Sequence, residues 1–455
     1  MNLNQWLNWQ TSLHPHKIEL GLTRCRTIAQ RLNLLPPPFP IISVAGTNGK
    51  GSSVVLLDAI LSAAGYRVGR YTSPHLLRYN ERICVAGIDA SDEKICQAFE
   101  LIEKVRNDIS LTFFEFGTLA AMLVFMHTDL DLVVLEVGLG GRLDAVNIFD
   151  ADIALVTAID IDHVEWLGSD RESIGFEKAC IFRARHPAVC SDPNPPQSLI
   201  KHAEQLQAPL YYLGRDFIYK KNTKNRDKMQ FIKNPSLFKN IGFFHLPLPS
   251  LPGDFQLQNA AGVLMVLELL NKIPPRSLLS KQKNFVVPES AISQGLVNVT
   301  IPGRFQVLPG RVTRILDVAH NPLGAQALKE SLRQHPCQGE THAVVGMLKD
   351  KDIAGVFTMI QNSITHWHVA ALNAPRSATV QCLMDNLMAI GAKSIHSYSS
   401  MTAAYTHLLS YAQEGDRIIV FGSFYTVAEV LQVETMLSVT RPEPRQRGAW
   451  TLQCD

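Results

Sequence analysis

The chain has 455 residues, 46% of them hydrophobic and 18% charged, with a formal net charge of +2. Such a length exceeds what one hydrophobic core organises, so two domains are expected, and the composition excludes a disordered or fibrous protein. The near-neutral charge excludes a protein that coats nucleic acid, which needs a concentrated basic surface.

In chain order, the first residues, MNLNQWLNWQ, lack a basic region followed by an apolar one, so no secretory signal is expected and the protein is placed in the cytoplasm. An apolar run at 41–45 leads through a Gly-rich turn into a helical stripe at Val54, Leu57, Ile60, Leu61 and Ala64, which Gly65 closes. Apolar runs at 66–71, 132–137 and 153–159 alternate with helical stretches such as 117–126. Uninterrupted apolar strands separated by helices predict a parallel sheet covered on both faces. The apolar stretch 118–137 is broken by His127, Asp129 and Asp131, which argues against a membrane span. The segment 214–240 carries Lys220, Lys221, Lys224, Arg226, Lys228, Lys233 and Lys239 and reads as a solvated hairpin or loop. A polar, Pro-containing stretch at 281–303 marks a domain boundary. Beyond it, strands are predicted at 315–318, 343–346, 368–371 and 418–421, with helices at 322–333, 353–360, 380–390 and 401–411.

The expectation is an α/β fold: an N-terminal P-loop-type ATPase domain with a mostly parallel sheet over 1–298, a smaller C-terminal Rossmann-like α/β domain over 299–440, and a flexible tail, 441–455. The eight cysteines form no C-x-x-C pair and read as reduced thiols. No long heptad run is present, and a monomer is expected.

The strand at 41–45 enters Gly46-Thr47-Asn48-Gly49-Lys50-Gly51-Ser52 and then a helix. Glycines let backbone N–H groups curl around phosphate oxygens, the helix N-terminus adds its dipole, and Lys50 adds a point charge. A nucleotide triphosphate is the expected ligand, although Val44 and the extra Gly51 depart from the G-x-x-x-x-G-K-[ST] spacing. Glu136 ends an apolar strand before a Gly-rich turn, where a carboxylate either holds a nucleotide-bound metal or caps the next helix. Phe113 and Phe114 either stack on a flat heterocycle or pack the core. Lys178 falls in a predicted helix, where a lysine is ordinarily a solubilising charge.

The form VAGTNGKGS resembles the nucleotide loop of the Mur ligase superfamily, and specifically its folylpolyglutamate synthase/dihydrofolate synthase branch. TSPHLLRYNERI (72–83), LTFFEFGTLAA (111–121), LEVGLGGRLDAVN (135–147), DHVEWLG (162–168), FEKACIFR (176–183), PGRF (302–305), LDVAHNP (316–322) and GMLKDKD (346–352) resemble its other motifs, in its order. The resemblance implies an ATP-dependent ligase that adds L-glutamate to dihydropteroate and to reduced folates through an acyl phosphate. It makes the second domain a Mur-ligase-type glutamate ligase domain. It implies that Ser73, Glu136 and His163 hold Mg2+, that Lys178 is carbamylated and approaches a second metal, and that Asn259, Arg304, Asp317 and His320 join residues 47–52 on ATP. Ser12, Leu13, His14, Pro15, Thr112, Phe113, Phe114, Glu115, Leu143, Asp144 and Ala145 are implied for the acid substrate.

Three competing readings are weighed. A folylpolyglutamate synthase without the synthase activity on dihydropteroate lies within the same branch. A cell-wall Mur ligase is expected to carry an added N-terminal domain, whereas here the phosphate loop begins by residue 46. A P-loop conformational ATPase would hydrolyse ATP without glutamate and keep the stricter loop spacing.

Overall fold

The structure is a computed structural model and describes residues 1–16, 18–222, 227–240, 242–273 and 285–440. Eight strands form the first sheet, in the order Ile88–Asp89, Ile83–Val85, Val68–Tyr71, Leu132–Glu136, Ile41–Ala45, Ile153–Val156, Ala188–Cys190 and Leu210–Tyr212. From Val68–Tyr71 onward all neighbours are parallel, and only the two short strands at one edge run antiparallel. The central strands Ile41–Ala45 and Leu132–Glu136 are buried at every position. This explains their unbroken apolar sequence, since helices cover both faces. The chain leaves Ile41–Ala45 towards one side of the sheet and later fills the other, so the loop at 46–49 sits at the topological switch point, where parallel α/β sheets bind ligands.

The second sheet has the order Gln306–Leu308, Thr313–Leu316, Arg417–Phe421, Thr341–Val345, His366–Val369 and Ile395–Ser397, antiparallel only at its first pair. The C-terminal ends of its strands face the first domain. Each domain has its own apolar clusters, one on either face of its sheet.

Several expectations are corrected. The strand foreseen at 153–159 ends at Val156, which leaves His163 seven residues further on at the start of a short helix, Val164–Leu167. The strand foreseen at 315–318 spans Thr313–Leu316, so Asp317 lies just past its end. The helix foreseen at 117–126 begins at Phe113, because Thr112 and Glu115 form a reciprocal capping box. The boundary stretch 281–303 includes a helix, Glu289–Asn298, whose Gly295 lies flush on Ile60 of the first domain. Residues 281–284 of that stretch, and the tail 441–455, lie outside the described residues.

The lysine-rich segment contains strands Phe217–Lys221 and Lys228–Lys233, which pair with each other, and Lys228–Lys233 pairs on its other side with Gly242–Pro247. Its side chains alternate in burial, with Met229 and Phe231 inward. Lys233 is not solvated as expected; it is 1% exposed and its Nζ lies 2.6 Å from Glu268. Lys224 and Arg226 lie outside the described residues.

The stretch 118–137 divides between the buried Phe113–Met126 helix and the central strand Leu132–Glu136. Among the described residues no helix is long and apolar enough to cross a membrane. The seven described cysteines form no disulfide.

Candidate active site

The loop after Ile41–Ala45 is held open by sequence. Gly49 caps the Lys50–Ala63 helix with φ +94°, and a Cβ there would lie 2.4 Å from Asn259 Oδ1. Gly49→Ala is therefore expected to weaken nucleotide binding about tenfold and to destabilise the fold by about 1–3 kcal/mol. Nucleotide titration and thermal unfolding check it. Thr47 ties the loop to the segment that follows the neighbouring strand by exchanging hydrogen bonds with Asp160: its hydroxyl donates to the carbonyl at 2.9 Å and accepts from the backbone N–H at 3.0 Å. Lys50 folds back on the loop, its ammonium donating to the carbonyls of Gly46 at 2.9 Å and Thr47 at 3.1 Å. Burial lowers its pKa, an effect opposed by Glu136 and Asp162.

Thr47, Asn48, Gly49, Lys50, Gly51, Ser73, Glu136, His163 and Lys178 from the first domain line one cleft with Arg304, His320, Lys351 and Arg376 from the second. The cleft measures about 390 Å³, within the size range of ligand pockets. Next to it, Asn48, Gly49, Ser52, Asn259, Arg304, Asp317 and His320 line a second cavity. Asp317 accepts from the backbone N–H groups of Phe305 and Ala319, both at 2.8 Å, and so fixes the linker that carries Arg304. Burial raises its carboxyl and Arg304 counters that.

Glu136 is 4% exposed and accepts from the Ser73 N–H at 3.0 Å. Burial raises its pKa, opposed first by Lys50. His163 has φ +54°, a left-handed backbone uncommon outside glycine, of the kind that clusters at functional sites. Burial lowers its imidazole to about 4, against the pull of Asp162, so it is neutral near pH 7 and keeps a ring lone pair. A carboxylate, a hydroxyl and a neutral imidazole around one cleft fit a divalent cation, with oxygen donors in the majority. Lys178, for which the resemblance implies carbamylation, is 3% exposed, and burial, reinforced by the charge of Lys50, lowers its amine to about 7.

A third cavity is lined by His14, Thr112, Phe113, Phe114, Glu115, Leu143, Asp144 and Ala145. It shares Ser73, His163, Gly138, Leu139, Arg82, Arg376 and Tyr425 with the first cleft, so the two open into each other. Phe113 and Phe114 are half-buried, with Phe113 also beneath the Arg82 guanidinium at 5.5 Å. Glu115 has an architectural task as well, since Arg24 Nη2 lies 3.1 Å from its Oε1. Asp144 caps the turn Ala145–Ile148, accepts from Leu139 N–H and Val146 N–H, and is raised to about 7 by burial. Ser12, Leu13 and Pro15 do not line this cavity. The Ser12 hydroxyl donates to the Trp9 carbonyl, Leu13 packs on the core, and Pro15 is exposed.

Sequence reasoning missed Asp162. Its carboxylate accepts from Lys351 Nζ at 2.7 Å and from Asn321 Nδ2 at 3.0 Å, with His320 Nε2 at 3.8 Å, all from the second domain. Burial alone would raise its carboxyl, but His320, His163 and Lys351 outweigh burial and hold it far below the usual carboxylate range. Asn321 also faces Asn48 of the phosphate loop, amide to amide at 3.0 and 3.1 Å. Asp162→Asn is expected to loosen this clasp, lower kcat about tenfold through misplacement of the second domain, and enlarge the radius of gyration seen by small-angle scattering. An unchanged scattering curve and rate would remove the clasp from catalysis.

A Mur ligase middle-domain model matches residues 44–267, and a Mur ligase glutamate-ligase-domain model matches residues 303–424. The two halves are those of a Mur-type ligase. The dihydrofolate synthase/folylpolyglutamate synthase of Escherichia coli K12 is 41% identical over 431 residues, covering 95% of each chain. The structure of E. coli FolC in complex with DHPP and ADP superposes with a TM-score of 0.87 at 40% identity, covering 96% of this chain and 98% of that one. A bifunctional folylpolyglutamate synthase/dihydrofolate synthase with Mn, AMPPNP and L-glutamate bound gives 0.85 at 42% identity, with the same coverage. The chain belongs to the dihydrofolate synthase/folylpolyglutamate synthase family.

Proposed function

We propose that this protein uses ATP to join L-glutamate to dihydropteroate, giving dihydrofolate, and to reduced folates, giving polyglutamates. The observation that carries this reading is the opening between the nucleotide cleft and the aromatic-walled cavity through Ser73, His163 and Arg376. An acid whose flat ring lies against Phe113 and Phe114 can present its carboxylate to the terminal phosphate of ATP held on residues 47–52.

The carboxylate oxygen attacks the γ-phosphorus, the bond to the bridging oxygen breaks, and ADP leaves with that electron pair. Lys50, with Arg304 and His320 from the facing domain, stabilises the charge on the transferring group. The glutamate nitrogen, having given up a proton, then attacks the acyl carbon, and inorganic phosphate departs as the amide forms. Asp162 and its partners hold the domains together and exclude water from the mixed anhydride. Magnesium at Glu136, Ser73 and His163 would neutralise phosphate oxygens when bound. A buried amine titrating near 7 supports carbamylation of Lys178, in which its nitrogen adds to carbon dioxide and releases a proton, turning a cation into a carboxylate that could serve a second metal.

ADP release by the purified protein, with ATP, magnesium, dihydropteroate and glutamate present and each omitted in turn, tests the reading. Release that needs both acid and amine, with dihydrofolate as product, is expected. Release indifferent to glutamate would sink the ligase reading, and activity on reduced folates alone would restrict it to polyglutamylation.

A further inference from the structure

Far from the cleft, at the N-terminal ends of the second sheet's strands, lies a histidine cluster that the ligase chemistry does not use. His342 and His366 are register partners on adjacent parallel strands, and His368 pairs likewise with His396. Register partners, and residues two apart on a strand, share a face of the sheet. Their rings stack in two layers: His342 on His366 at 4.8 Å, and His368 on His396 at 5.0 Å. Glu340, two residues before His342, joins this side.

One ring nitrogen each from His342 and His366 and one carboxylate oxygen of Glu340 lie within 4.8 Å of one another. We propose that Glu340, His342 and His366 form a zinc site, separate from the nucleotide cleft, that fastens the outer end of the second domain. Two imidazoles and a carboxylate are a zinc donor set that leaves a fourth position for water.

The outer contacts match those that orient metal-ligating histidines. His366 Nδ1 lies 2.7 Å from Ser394 Oγ, which fixes the ring so that Nε2 meets Glu340 Oε2 at 2.7 Å. His342 Nδ1 lies 3.4 Å from His368 Nε2, and His368 Nδ1 in turn lies 3.0 Å from the Tyr398 hydroxyl. The nitrogen left over, His342 Nε2, is buried without a hydrogen-bond partner, and His342 is 1% exposed. Its nearest carboxylate oxygen, Asp416 Oδ2, stands at 3.6 Å, beyond hydrogen-bond reach. A buried polar atom left without a partner is costly, and a cation between the three donors would satisfy it.

The Glu340 backbone is pinned, its N–H donating to Asp416 Oδ1 at 2.9 Å, while its side chain, held by His366, is 57% exposed. Donors around tetrahedral zinc sit about 3.3 Å apart, so a pair at the 4.8 Å limit must close by about 1.5 Å when the ion binds.

The test uses the full chain, stripped with a chelator, equilibrated with zinc chloride in excess magnesium, and desalted before elemental analysis. Wild type is expected to retain about one equivalent of zinc, and Glu340→Gln and His366→Gln to lose most of it, with circular dichroism and ligase rate unchanged. Both substituted residues are only partly buried, so the variants should fold. Failure of wild type to retain zinc, or retention by both variants equal to wild type, overturns the proposal. Zinc retention is read without turnover, so it stands or falls independently of the ligase reading.

Discussion

Replacing Lys50 by methionine is expected to lower the rate of ATP-dependent ligation about 10³-fold while the chain stays folded. Methionine keeps an unbranched side chain of similar length in the buried site and removes only the charge. The loss falls on kcat more than on nucleotide affinity, because the backbone N–H groups of the loop still cradle phosphates while the charge that follows the moving phosphoryl group is gone. A second effect follows at Glu136. Lys50 is the strongest influence opposing the upward push of burial on that carboxyl. Without it the carboxyl binds its proton to higher pH, so the acid limb of the pH–rate profile should move towards neutrality. A rate within tenfold of wild type would place phosphoryl transfer somewhere other than this loop.

Lys178→Ala is expected to cost about 10²-fold or more in kcat, on the scale of a lost electrostatic contact to the reacting group. Lys178→Arg should fare no better, since a guanidinium cannot add carbon dioxide. The wild-type amine titrates at about 7, far below an ordinary lysine. Acidification through that value protonates it, and an ammonium is no nucleophile, so activity and carbamate should fall together below neutrality. Above it the neutral amine competes for carbon dioxide. Enzyme prepared with 13C-bicarbonate should show a carbamate resonance absent from Lys178→Ala, and removal of carbon dioxide should slow wild type. Full activity in carbon dioxide-free buffer would exclude the modification from catalysis.

The phosphate loop was legible in the sequence because its cause is local: an apolar strand, glycines at the turn, a lysine, then a helical stripe. The same holds for most strands of both sheets, where burial on both faces leaves an uninterrupted apolar run. Asp162 was illegible because its partners Asn321 and Lys351 stand 159 and 189 residues away, and nothing around an isolated Asp-His pair shows that the opposite domain will close on it. Burial was hidden from the sequence at two lysines, and it misled at one. Lys233 reads as part of a solvated basic run until Glu268 is folded against it, whereas Lys178 was marked out by the family resemblance, its burial beside Lys50 being visible only in the fold. In the acid cavity the difficulty was double duty: Thr112 and Glu115 line it, yet their short contacts serve a helix cap and Arg24. Nothing in SLHPHKIELGL distinguishes His14, which reaches the cavity, from Ser12 and Pro15, which do not.

The two domains keep separate hydrophobic clusters and meet at the cleft largely through polar contacts around Asp162 and Asn321. Apart from Leu76, which packs against a cluster of the second domain, each core is buried within its own domain, so heating should melt the free protein in two steps that a single midpoint cannot describe. A nucleotide lodged between the phosphate loop and Arg304 binds only while both halves are folded, and it stabilises both by mass action. Substrate thus becomes the element that makes unfolding cooperative across the whole chain, and a calorimetric trace that merges from two peaks into one would report closure directly.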